Sequence, residues 1–198
     1  MKSIPKTRTS LGGVARGNTQ VITMVILAMN VAIFFLVRSD QEALSRLVLV
    51  PYFVEIQPWR LLTSAFTHVA LFHIFSNLFM LYQLGPPLEA MLGRLRFIVL
   101  YLLSALGGGV AVWLLGNPLQ GTLGASGAVL GLVGALLVIS KARGMDITWM
   151  LIYVAITAVI SITIPNISWQ GHLGGFVTGL ALGALFVADS RRRQRPRF

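Results

Sequence analysis

The sequence contains no cysteine and few charged residues, and both shortages narrow what the chain can be. Without cysteine it has no disulfide framework, no thiolate-bound metal cluster and no thiol nucleophile. Only 11% of its 198 residues are charged, whereas an ordinary soluble domain carries roughly 25%. Acidic residues are scarcest, with 6 against 16 basic ones. This composition excludes a water-soluble globule of this size.

The few charges are distributed so that long uncharged runs lie between them. Runs of 21, 28, 44 and 42 residues lack Asp, Glu, Lys and Arg, and they cover 17–37, 61–88, 97–140 and 147–188. Because a membrane-spanning helix needs roughly 20 apolar residues, the first two runs hold one helix each and the last two hold two each. Runs this long and uniform exclude a membrane β-barrel, and a chain that is 56% hydrophobic is not disordered.

Proline-containing breaks give the boundaries of the predicted helices. Asn117-Pro118 and Pro165-Asn166 divide the two longest runs, because proline cannot donate to a helix. Gly85-Pro86-Pro87 is predicted to end the second helix. The sequence thus predicts an all-α membrane protein, a bundle of six transmembrane helices with a long outer loop between helices 1 and 2. The predicted spans are 20–37, 69–84, 95–116, 125–141, 147–164 and 170–188, in a transmembrane domain 20–188 with a short basic arm, 1–19, and a basic tail, 189–198.

Most basic residues fall on one side of this predicted bundle. With six spans both termini share a side, and 13 of the 16 Lys and Arg lie there, whereas Arg38, Arg46 and Arg60 lie on the other. Because cytoplasmic loops carry an excess of Lys and Arg, we expect a multi-pass protein of the cell (inner) membrane with both termini cytoplasmic. The net charge of +10 then indicates topology and contact with anionic lipid, not nucleic acid. We expect no further cytoplasmic domain on the short arm.

Polar side chains from three predicted helices share one depth on the outer side. His73 and Asn77 are four residues apart near the start of span two, and hence on one face. Ser126 lies at the start of span four, and His172 lies in the first turn of span six. Because such groups are costly inside a membrane, they are candidates for function. Together they predict a serine nucleophile activated by a histidine base, at a site open to the extracytoplasmic side.

Small residues that repeat every four positions predict which helices touch. The repeats are Gly127, Gly131 and Ala135 in span four, and Gly171, Gly175, Gly179 and Gly183 in span six. This spacing lets two membrane helices approach to backbone contact. If the two stripes face each other, the Ser126 hydroxyl can reach a ring nitrogen of His172. Alone, each feature has a plainer interpretation, as a helix cap, simple packing or a structural histidine, and only the combination favours catalysis.

No acidic residue is placed to orient His172. Three acidic residues lie in the outer loop and three at cytoplasmic helix ends: Asp40, Glu42 and Glu55, then Glu89, Asp146 and Asp189. We therefore expect a Ser–His dyad and no triad. Asn77, His73 and the backbone N–H of Ser126 are the expected donors to an oxyanion. His68 is expected to be a structural hydrogen-bonding group near the site.

These motifs resemble those of the rhomboid family of intramembrane serine proteases, over nearly the whole chain. The matching residues are Trp59-Arg60, His68, His73, Asn77, Glu89, Gly93, Arg96, Phe97, Tyr101, Gly124-Ala125-Ser126-Gly127 and Gly171-His172 through Gly175. The resemblance implies a minimal six-helix core and a dyad of Ser126 and His172, and we expect no metal or cofactor. It also implies cleavage of single-pass transmembrane substrates near their outer end. Many members carry a tyrosine one turn after the serine, packed against the dyad histidine, where this chain has Leu130.

The same residues bear on several other functions. A zinc site on His68, His73 and His172, or haem ligation by two histidines, would leave Ser126 and Asn77 unexplained. A transporter would require charged or broken helices at mid-bilayer. The sequence has no His-Glu-x-x-His motif and no aspartate pair inside a span. The remaining alternative is a non-catalytic rhomboid-like protein that binds or extracts membrane clients, although such relatives typically lack the serine or the histidine. Whether helices two and five or the outer loop admit a substrate does not follow from the sequence.

Overall fold

A computed structural model describes residues 7–9, 11, 13–15 and 20–194 of the chain. The rest of the predicted arm, 1–6, 10, 12 and 16–19, and the end of the predicted tail, 195–198, lie outside the described residues. The described helices are α1 (Val21–Ser39), α2 (Gln41–Leu47), α3 (Arg60–Thr63), α4 (Leu71–Leu92), α5 (Arg94–Leu115), α6 (Ser126–Ala142), α7 (Thr148–Thr163) and α8 (Trp169–Gln194). Two short strands, β1 (Thr7–Arg8) and β2 (Val14–Ala15), pair antiparallel in the arm.

Long helices occupy the positions of all six predicted spans. Three of the described helices, α1, α5 and α8, are long and apolar enough to cross a membrane. The helical segment Arg60–Phe66 and α4, joined at an angle of 93°, make a fourth candidate if they count as one broken span. The apolar helices α6 and α7 are shorter, at 17 and 16 residues. The chain is therefore a multi-pass membrane protein built from helices apart from the short pair of strands in the arm, and its division into six spans stays a prediction.

The prediction that Gly85-Pro86-Pro87 ends the second helix was wrong. Helix α4 continues through both prolines to Leu92 and ends where Gly93 adopts a φ of +78°. The extended part of α4 packs against the start of α1. A Cβ on Gly85 would lie 2.5 Å from Thr23, and the Glu89 carboxylate accepts hydrogen bonds from the backbone of Ile22 (3.0 Å) and Thr23 (2.8 Å). Glu89 thus caps the start of α1, whose own N-cap residue makes no side-chain bond.

Helix α8 also continues beyond its predicted end at residue 188, as far as Gln194. In this last part, Asp189 accepts hydrogen bonds from Arg193 one turn later (2.8 Å) and from Arg96 of α5 (2.6 Å). Residues 189–194 of the predicted tail are therefore helical. The arm reaches the same end of the bundle, since the buried Leu11 donates its N–H to the carbonyl of Met91.

The segment between α1 and α4, predicted as a long loop, has local structure. It contains α2, α3 and two 3-10 turns, Pro51–Phe53 and Ser64–Phe66. Arg60 is buried and donates to the carbonyls of Ser45 (2.6 Å) and Val48 (2.5 Å). The indole of Trp59 donates to the Arg46 carbonyl at 3.2 Å. The hydrogen bonds of Trp59 and Arg60 thus stabilise the internal structure of this segment. Neither residue lines the cavity around Ser126.

Candidate active site

Helices α6 and α8 touch along their glycine stripes, in the arrangement that the spacing indicates. A Cβ on Gly175 would lie 2.0 Å from the carbonyl oxygen of Gly127, and one on Gly179 would lie 1.9 Å from that of Gly131. Neither position can therefore carry a side chain without moving a helix. This approach places the first turns of α6 and α8 side by side.

Helix α5 joins the same contact, which sequence analysis did not anticipate. A Cβ on Gly108 would lie 2.8 Å from the carbonyl oxygen of Gly171, and one on Gly107 would lie 2.1 Å from the Thr178 hydroxyl. The available signal was the run Gly107-Gly108-Gly109 in the middle of an otherwise apolar span. Three helices thus meet at backbone distance beneath the candidate site.

The structure brings Ser126 and His172 into contact. Ser126 is the first residue of α6, and His172 is the fourth residue of α8. The Ser126 Oγ lies 2.7 Å from the His172 Nε2, which is the distance expected between a nucleophile and its general base. Both side chains are half-buried and line one cavity. The pair is therefore accessible from that cavity.

The other ring nitrogen of His172 contacts a residue that sequence analysis missed. The Ser161 Oγ of α7 lies 2.6 Å from the His172 Nδ1, and the same hydroxyl donates to the Thr157 carbonyl at 2.6 Å. Ser161 is buried, with 4% of its surface exposed. Within the described part of the chain, no carboxylate is hydrogen-bonded to His172. The only signal for Ser161 was that it is the one serine in the predicted span 147–164.

Asn77 and His73 of α4 line the cavity opposite this pair. Asn77 is buried, and its Nδ2 donates to the His73 carbonyl at 2.8 Å. The His73 ring lies against Gly124, where a Cβ would come within 2.5 Å of the His73 Cε1. Gly124 also has a φ of +117°, which L side chains rarely adopt. The turn before Ser126 therefore requires glycine for two independent reasons.

His68 supports this turn from the side away from the cavity. It is buried, and its Nε2 accepts a hydrogen bond from the backbone N–H of Ala125 at 3.2 Å. Its ring meets that of His73 edge-on, with 5.0 Å between the ring centres. The Ser64 carbonyl accepts from the backbone N–H of Gly124 at 2.9 Å. The connection that leads into α4 thus holds both residues that precede Ser126.

The cavity has a volume of about 730 Å³ and lies where α4, α6 and α8 begin. Its walls include Gly124, Gly127 and Gly171 among the predicted residues. Gly175 packs against Gly127, and His68 lies behind the wall. Aromatic and apolar side chains of α4 and α7 complete the lining, among them Phe75, Phe79, Met80 and Tyr153. Among the described residues, no three His, Asp or Glu side chains come together closely enough to hold a metal ion.

The known proteins that resemble this chain point to one family. The rhomboid domain profile matches residues 55–189. The chain is 27% identical over 189 residues to Rhomboid protease GluP of Bacillus subtilis (strain 168), covering 89% of this chain and 37% of that protein. It is 33% identical over 141 residues to Putative rhomboid protease YdcA of the same bacterium, covering 68% and 70%.

A plant relative gives a similar match. The chain is 33% identical over 136 residues to RHOMBOID-like protein 1 of Arabidopsis thaliana, covering 65% of this chain and 34% of that protein. This chain thus spans about a third of the length of that protein and of GluP. Because the domain profile covers 135 of the 198 residues, the chain belongs to the rhomboid family.

Proposed function

We propose that this protein is an intramembrane serine endopeptidase that uses Ser126 as nucleophile and His172 as general base. The observation that carries the proposal is the 2.7 Å contact between the Ser126 Oγ and the His172 Nε2 in the wall of a cavity. The membership of the chain in the rhomboid family, and its similarity to the two proteins named as proteases or putative proteases, support it.

The reaction follows from the positions of these two side chains. The His172 Nε2 accepts the Ser126 hydroxyl proton as the Oγ attacks the substrate carbonyl carbon. When the tetrahedral intermediate collapses, the peptide C–N bond breaks and His172 returns the proton to the leaving amine. Water then attacks the acyl-enzyme with His172 again as base, and the Ser126 hydroxyl is restored as the acid product leaves.

Three groups are proposed to stabilise the oxyanion. The backbone N–H of Ser126 is at the start of α6, where the helix dipole favours negative charge. Asn77 uses one amide hydrogen for the His73 carbonyl and keeps a second one to donate. His73 lines the same cavity and offers a ring N–H. Preorganised donors of this kind act where charge develops in the transition state.

Substrates are proposed to be single-pass transmembrane proteins, cleaved near their extracytoplasmic end. We place their access between α4 and α7, because the cavity is lined on that side by Phe75 and Phe79 of α4 and Tyr153 of α7. Phe75 and Phe79 are more than half exposed, so they present apolar surface to a substrate helix. A helical carbonyl is hydrogen-bonded and shielded, and the substrate must therefore unwind locally to reach Ser126.

The proposed orientation places the site on the extracytoplasmic side of the cell (inner) membrane. The end of the bundle opposite the cavity carries Arg94, Arg96, Arg143 and Arg191, and this end is proposed to face the cytoplasm and anionic lipid. The bonds of Glu89 to Thr23 and of Asp189 to Arg96 bring the start of α1 and the end of α8 to that same end. Both termini are then cytoplasmic.

Cleavage of a single-span substrate in proteoliposomes tests the proposal. Ser126→Ala and His172→Ala are each expected to lower the rate by at least about 10³-fold, since both groups take part in every proton transfer. A fluorophosphonate probe is expected to label the wild-type protein and not Ser126→Ala. Ser140→Ala is the matched control, because Ser140 is a buried serine at the far end of the same helix.

Two results would contradict the proposal. If wild-type protein and Ser126→Ala cleave equally, or if neither cleaves and the probe labels neither, the protease proposal is wrong. The second of these results would favour the alternative of a non-catalytic protein that binds or extracts membrane clients.

A further inference from the structure

The imidazole of His172 has a partner on each of its two nitrogens. Its Nε2 faces the Ser126 Oγ at 2.7 Å, and its Nδ1 faces the Ser161 Oγ at 2.6 Å. A neutral imidazole carries one N–H donor and one acceptor nitrogen. The identity of the protonated nitrogen therefore decides whether His172 can accept the proton of Ser126.

The second hydrogen bond of Ser161 indicates which nitrogen carries the proton. A serine hydroxyl has one hydrogen, and Ser161 donates it to the Thr157 carbonyl at 2.6 Å. The Ser161 Oγ then presents only lone pairs to His172, so Nδ1 must be the donor. Nε2 is left unprotonated and faces Ser126, in the tautomer that a general base requires.

We propose that Ser161 is the positioning residue of His172 and takes the orienting part that a carboxylate plays in a serine-protease triad. The proposal rests on the proposed protease function and assigns to it a residue on a third helix. The chain of donors runs from Ser126 to His172, from His172 to Ser161, and from Ser161 to the Thr157 carbonyl.

Two further observations support this assignment. One turn after Ser126, where many family members have a tyrosine packed on the histidine, this chain has the apolar Leu130, which offers no ring to stack on His172. Helix α7 buries only two of its 16 residues, Met150 and Ser161. A buried serine on a helix with so little other buried surface is economically explained by its contact with His172.

The position of Ser161 also separates its effect from substrate binding. The large cavity that contains Ser126 is not lined by Ser161, which instead lines a smaller, adjoining cavity of about 240 Å³. Removing the Ser161 hydroxyl should therefore change the chemical step and leave substrate affinity unchanged. Because Ser161 stands on α7, the orientation of His172 depends on the position of that helix.

Ser161→Ala is expected to lower kcat about three- to tenfold with KM unchanged, the range that corresponds to one neutral hydrogen bond. Ser161→Thr keeps the hydroxyl and is expected to recover most of the loss. Thr163→Ala is the matched control, because Thr163 makes the same kind of bond within α7, to the Val159 carbonyl at 2.7 Å, and is exposed. Thermal unfolding of each variant checks that the helix bundle is intact.

A second readout does not depend on activity. With ¹⁵N-labelled histidine, the chain gives signals from only three imidazoles, and His172→Ala identifies the one of interest. We expect the Nδ1–H tautomer in the wild type and in Ser161→Thr, and a mixture of tautomers in Ser161→Ala. An Nε2–H tautomer in the wild type overturns the proposal, and so does an unchanged kcat in Ser161→Ala. If the wild type does not cleave at all, the protease function fails, while the tautomer still decides the role of Ser161.

Discussion

At the scale of single residues, Asn77 makes a hydrogen bond within its own helix and is also proposed to donate to the oxyanion. Its Nδ2 donates one hydrogen to the His73 carbonyl within α4, which holds the amide in place without help from substrate. The second amide hydrogen remains for an acceptor in the cavity. A donor fixed in this way needs no reorganisation when negative charge develops on the substrate oxygen.

Asn77→Ala is therefore expected to reduce kcat roughly 10²-fold, with little change in KM, because the lost donor acts on the transition state. Steady-state cleavage kinetics in proteoliposomes measure both constants. Ser76→Ala is the control, since the Ser76 hydroxyl donates to the same His73 carbonyl (3.0 Å) and lines the same cavity. If both variants lose activity equally, Asn77 only supports its helix, and the proposed oxyanion role is wrong.

The residues of the site differ in how far sequence could predict them. Ser126, His172, His73 and Asn77 could be grouped because each lies near the start of a predicted span, and depth follows from the span boundaries. Ser161 could not be placed, because its contact depends on how α7 is rotated and tilted against α8. Helix α7 contains no glycine, so no stripe like those of α6 and α8 indicates that rotation.

At the scale of helices, the contact between α6 and α8 is set by glycine. Alanine is normally the better helix residue by roughly 1 kcal/mol, so replacing an unconstrained glycine would stabilise α8. At Gly179 a Cβ would lie 1.9 Å from the Gly131 carbonyl oxygen, and backbone cannot move aside as a side chain does. At Gly183 the nearest atom, the Ala135 Cα, would be 2.9 Å away.

Gly179→Ala is expected to destabilise the protein by about 1–3 kcal/mol, the usual cost of overpacking a core. Gly183→Ala is expected to destabilise the protein less, because a much smaller displacement of the Ala135 backbone relieves its contact and the gain in helix propensity offsets part of the cost. Thermal unfolding in detergent compares the two. Equal values of Tm would mean that the stripes are not in tight contact.

Helix boundaries show where local sequence signals are insufficient. Gly85-Pro86-Pro87 predicts a helix end from local chemistry, yet α4 continues for five residues beyond Pro87. The extension carries Glu89 to the start of α1, where its carboxylate accepts two backbone N–H bonds and the Thr23 hydroxyl. This tertiary contact joins residues 66 positions apart, and no local pattern could reveal it.

At the scale of the whole molecule, most of the described basic residues and the candidate active site lie at opposite ends of the bundle. The starts of α4, α6 and α8 surround the cavity, whereas the ends of α4 and α8 and the start of α5 meet at the basic end. This separation requires α6 to run from the cavity end to the basic end. The proposed topology, in which α6 crosses the membrane, then places the connections on either side of α6 on opposite sides of the membrane.

Single cysteines test that orientation, and the native chain, which has none, gives no background labelling. Leu119→Cys lies between α5 and α6, and Met145→Cys lies between α6 and α7, at positions that are 76% and 57% exposed. A membrane-impermeant maleimide is expected to label Leu119→Cys in intact cells, and Met145→Cys only after permeabilisation, because the basic end is proposed to face the cytoplasm. The reverse pattern would invert the topology and place the site inside. Labelling of both from one side would show that α6, at 17 residues, does not cross the membrane.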